Sequence, residues 1–123
     1  MPPMDLIEAI DVVEKTYEFM LAYAAQGRVN DEDTSNTGIR ADLTRLVEAL
    51  SVIGAANLEG EAAKKFLDVV RQDAAKASAA IGLVLSKSGI SSQAVDNLNA
   101  SIHIRALLTD LFILDETLKI TGV

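Results

Sequence analysis

Residues 91–119 read SSQAVDNLNASIHIRALLTDLFILDETLK, and their apolar positions overfill one side of a helix. On a helical wheel Ala100, Ile104, Leu107, Leu111, Leu114 and Leu118 fall together, with Leu108 at their edge. Val95, Ile102, Ala106 and Ile113 fall nearly opposite, with Leu98 beside them. A helix at the rim of a small bundle needs one apolar face of roughly 100°. The second stripe therefore requires a central place in the fold, a second copy, or a partner's groove. The stretch is expected to be one continuous helix.

The first helix, expected over residues 6–26, poses the same problem. Leu6, Ile10, Val13, Tyr17, Met20 and Ala24 recur at helical spacing as a core stripe. Val12, Phe19 and Tyr23 lie well away from it, and with Ala9 and Thr16 they widen the apolar arc to about half the circumference. Asp5 with Glu8 three residues on is a start signal, and Gly27 stands where a left-handed cap would end the helix.

Between these two lie residues 28–38, a polar loop, and two further helices, one from residue 36 or 37 to 57 and one over 61–88. Ile39, Leu43, Leu46, Val47, Leu50 and Ile53 form the buried side of the first of these. Ala63, Phe66, Leu67, Val70, Ala74, Ala77, Ile81 and Val84 form that of the second. Pro2 and Pro3 are the only prolines, so nothing later forbids helix. Close packing against neighbours would account for Gly54 and Gly82 inside helical pattern. Lys87 and Gly89 close the third helix, and Ser91 caps the fourth. Residues 57–60 are either a turn or a kink.

The chain has 123 residues, the size of a single domain, taken as residues 1–123. The fold class expected is all-α: an up-and-down four-helix bundle with antiparallel neighbours. Four helices of about 20–28 residues cannot all surround one of their own number. Association through the first and fourth helices is therefore the expected outcome, with Val12, Phe19, Tyr23, Ile102, Ala106 and Ile113 as the contact surface.

A formal charge of −7 argues against nucleic acid and against anionic lipid as partners. With no cysteine, disulfides and thiolate chemistry are excluded, as are Cys-rich zinc sites. The first five residues, MPPMD, lack the features of a secretory signal, and no apolar run approaches the ~20 residues of a membrane span. A cytoplasmic protein is the expectation.

Three chemistries have some footing in the sequence. Asp31, Asp33, Ser35 and Asp42 have first, third, fifth and twelfth positions of a calcium loop, but Asn36 replaces its glycine and Asp42 its glutamate. No metal and no cofactor is expected. His103 is the only histidine and the one candidate phosphoacceptor. A histidine on a bundle helix resembles the architecture of histidine phosphotransfer domains, although those carry lysine and small residues where this chain reads IRALL. An apolar small ligand is the other alternative, in space left by the alanines of residues 74–80 and by Gly82. The leading expectation is a non-enzymatic protein acting by protein–protein interaction, as a homodimer or as an adaptor or chaperone-like binder of a protein partner.

Overall fold

In a computed structural model, which describes residues 4–31 and 38–119, the described chain is all-helical with no strand. Its five helices are α1 (Leu6–Ala24), α2 (Ile39–Ala55), α3 (Glu61–Leu85), α4 (Ser92–Ala100) and α5 (Ile102–Lys119). Asp5 caps α1 by accepting the Glu8 N–H at 2.8 Å, and Ser91 caps α4 by accepting that of Ala94 at 3.0 Å. Gly27 (φ +67°) adopts the left-handed conformation expected after α1. Gly60 (φ +99°) also takes a positive φ, so residues 57–60 are a turn and not a kink.

The expected continuous helix over 91–119 is broken at Ser101. This residue is extended (φ −62°, ψ 131°), and its hydroxyl accepts the His103 N–H at 3.2 Å. Its carbonyl accepts from Arg105 at 3.0 Å, so Ser101 both ends α4 and starts α5. The two pieces then do different jobs. α1 packs on α2 and α4, α2 on α3, and α3 on α5.

That division explains the wide apolar arc of α1. Ala9, Ile10, Val12, Val13, Thr16, Met20 and Tyr23 are all buried, an arc of about 160° at ~100° per residue, because neighbours flank α1 on two sides. The core expected for α2 and α3 is present, with Leu43, Ile53, Leu67, Val70 and Ile81 at its centre. In α5 the stripe Ile104, Leu107, Leu108, Leu111 and Leu114 is buried, whereas Ala100 is exposed.

Gly54 and Gly82 depart from expectation, because a methyl group at either would meet open space. Close approach is instead found at Gly89, where a Cβ would stand 3.1 Å from that of Asn30. Its φ is not positive, so Gly89 permits a loop crossing and does not form a left-handed cap.

A polar knot ties the ends of α1, α3 and α4 together. The Tyr23 hydroxyl donates to the Ile90 carbonyl at 2.5 Å, and Ser92 Oγ donates to the Tyr23 carbonyl at 2.7 Å. Asp31 accepts the Ile90 N–H at 2.8 Å and pairs with Arg40 Nε at 3.1 Å. Arg40 also donates to the carbonyls of Leu85 and Lys87, each at 3.0 Å. Asp31 therefore serves as a buried structural anion, while Asp33, Ser35 and Asn36 lie outside the described residues.

Candidate functional site

The six residues expected to form one contact surface do not share a face. Val12 and Tyr23 are each only 6 % exposed, covered by the chain's own helices. The wide arc of α1 is thus core, which corrects the assignment of these two residues to an interface. The sequence reading missed this because it kept residues 91–119 as one rod, leaving no helix free to lie along the second half of α1. Phe19 is exposed but lines a crevice between α1 and α2 with Ala22, Gly38, Ile39 and Asp42.

The remaining three, Ile102, Ala106 and Ile113, lie together on α5. Ile102 is 75 % exposed, Ile113 51 % and Phe112, beside Ile113, 55 %; Ala106 is half-buried. Ile102, Ala106, Thr109, Ile113 and Thr117 fall within an arc of about 80°, running ~22 Å along the helix. None carries a charge. Arg105, Phe112 and Glu116 border this strip on one side. Elsewhere among the described residues the large exposed apolar side chains, Ile7, Phe19, Leu21, Val29, Val69 and Leu83, are distributed over α1, α3 and the loop after α1. Single exposed residues of that kind are ordinary; three on one helix face are not.

Two grooves adjoin the strip. One, of about 800 Å³, lies between the start of α3 and the end of α5 and is lined by Leu58, Ala62, Phe66, Ile113, Leu114 and Leu118. The other, of about 590 Å³, is lined by Ala100, Ile102, Arg105, Ala106, Thr109 and Asp110.

Asp110 was not singled out from the sequence, although its position between Leu107, Leu111 and Leu114 puts a carboxylate at the edge of the core stripe. It is 9 % exposed, and its Oδ2 has no hydrogen-bond donor. Burial, and then the Asp73 carboxyl of α3 through a hydrogen bond and its charge, push Asp110 up to about 7. By contrast Asp31 is held below its ordinary range: burial opposes ionisation, but the Ile90 N–H and Arg40 outweigh it.

His103 is exposed in the first turn of α5, with its backbone N–H on Ser101. The alanines Ala74 and Ala77 are buried, and the space between Met20, Ile81, Ile104 and Leu107 is about 10 Å³. The described residues hold no group of three or more His, Cys, Asp or Glu side chains placed for a metal, and no helix among them is long and apolar enough to cross a membrane. No family model, no curated protein and no solved structure matches the chain.

Proposed function

We propose that this protein is a non-enzymatic interaction module that pairs with a second copy of itself through the outer face of α5. Its architecture is then an up-and-down four-helix bundle whose fourth rod is broken at Ser101. The observation that carries the reading is the uncharged strip from Ile102 to Thr117, with Ile102 and Ile113 standing out of it and Phe112 exposed along its border.

A second copy suits this strip better than an unrelated partner. At a net charge of −7 two copies repel, so they can approach only where charge is missing, and this strip is such a place. Ala106, Thr109 and Thr117 are small enough for helices to lie close. Arg105 and Glu116 border the same side of the strip, three turns apart. A two-fold axis near the middle of α5 sets Arg105 of each copy beside Glu116 of the partner subunit, twice. Covering Ile102, Phe112 and Ile113 on both copies, each already part-buried, supplies about 6–9 kcal/mol gross. Even the smallest cost of association, about 4 kcal/mol, takes back around half of that gain, which makes the pairing reversible and of about millimolar affinity.

Sedimentation at about 1 mM tests this, because an association of that strength is populated there. The wild-type protein should sediment as a concentration-dependent dimer, and Ile102→Asp/Ile113→Asp as a monomer of unchanged helicity. A wild-type chain that remains monomeric at that concentration overturns the reading.

A further inference from the structure

We propose that Asp73 and Asp110 share a single proton across the contact between α3 and α5, so that the docking of α5 responds to pH. The proposal does not depend on whether two copies pair.

The geometry requires a proton. Asp110 is buried, its Oδ2 meets no donor, and the side chain facing it from α3 is another carboxyl. Two ionised carboxylates only accept; they can bond to each other only when one is protonated. The surroundings are otherwise apolar. Leu107, Leu111 and Leu114 flank Asp110 on its own helix, and Val70, Ala74 and Ala77 are buried around Asp73 on α3. Such a setting penalises a second negative charge.

No other facing group removes the need for that proton. From α3, Asp73 faces Asp110, and Lys76 stands one turn further on at the surface. On α5, Arg105 lines the same groove and exposed His103 lies two turns back. Neither Arg105 nor Lys76 offsets the effect of Asp73 on Asp110. From α1, Val13, Tyr17 and Met20 reach Ile104, Leu107 and Leu108, and α4 contributes Ala100 to the groove.

The sign follows from comparing folded and unfolded chains. In the unfolded chain Asp110 titrates at its ordinary 3.8; in the folded chain it holds its proton up to about pH 7. Between these values the folded state binds one more proton, so raising the pH pulls the equilibrium toward unfolding. The folding constant drops by at most about tenfold per pH unit and levels off above pH 7. Stability from this pair is thus fully present in acid and lost as the pH passes through neutrality.

The test is a titration of the side-chain carboxyl carbons by NMR, together with urea unfolding at about pH 5 and pH 8, below and above the transition. It should be run at a concentration where sedimentation finds one species at both pH values. In the wild type one aspartate carboxyl should titrate near neutrality, and the urea midpoint should be higher at the acid pH. Asp110→Asn, whose amide donates to Asp73 at either pH, should lose the resonance and most of the difference in midpoint. Asp73→Asn should bring the Asp110 carboxyl down. Wild-type aspartates that all titrate in the ordinary carboxylate range overturn the proposal, as does a pH difference that is undiminished in both variants. If neither variant folds, the wild-type titration decides alone.

Discussion

At the scale of single residues, Tyr23 shows how an apolar position on a wheel becomes structural rather than available. Its ring lies in the core and under the Arg28 guanidinium, 5.4 Å from the ring centroid, while its hydroxyl reaches the Ile90 carbonyl. Burial pushes the phenol above its ordinary range, with Arg28 acting in the opposite direction, so it stays a neutral donor at any moderate pH. Tyr23→Phe keeps the packing and leaves a buried carbonyl without its short bond. The expected cost is about 1–2 kcal/mol in urea unfolding, with no change in sedimentation. A Tyr23→Phe protein that dissociates at unchanged stability would return Tyr23 to the interface. The tyrosine's position in a stripe was readable from the sequence. Its partner was not, because Ile90 lies sixty-seven residues away and nothing local announces the bond.

At the scale of elements, Ser101 decides most. The helix ends signalled by Asp5, Gly27 and Ser91 were legible because capping is a local matter of side-chain oxygens and left-handed glycine. The break was legible in principle too, since Asn97, Asn99 and Ser101 are poor helix formers and Ser101 is a natural cap. What hid it was the apolar rhythm. Val95 and Leu98 face α1, while Ile104 and Leu107 face the core from another rod, and on one wheel these read as two stripes of a single helix. Continuity was assumed where two half-helices were turned to different neighbours. The exposed strip on α5 survives that correction, which is why half of the expected contact residues remain candidates. Ser101→Ala removes the hydroxyl that accepts the His103 N–H and should cost about 1 kcal/mol, read from the shift in thermal midpoint. If the cap is idle, that midpoint stays put.

At the scale of the whole molecule, two carboxylates pull the stability curve in opposite directions. Asp31 has a lowered folded pKa, so its contribution is present above its unfolded value near 3.8 and is lost as the pH falls through the folded one. Asp110 has a raised folded pKa, so its contribution is complete in acid and is lost as the pH rises toward 7. Asp42, pushed up by burial alone, adds to the second trend, and the −7 net charge increases self-repulsion in the same sense. The two limbs meet near the ordinary aspartate value of 3.8, so the greatest stability lies well on the acid side of neutrality. Thermal unfolding followed across the acid and neutral range should therefore rise to that maximum and then decline to a plateau. Asp31→Asn should flatten the acid limb and leave the neutral one, and Asp110→Asn should do the reverse. A curve that climbs steadily through neutrality instead would mean that the contact between α3 and α5 tolerates both charges, and that the acidic pair is no constraint on how α5 is held.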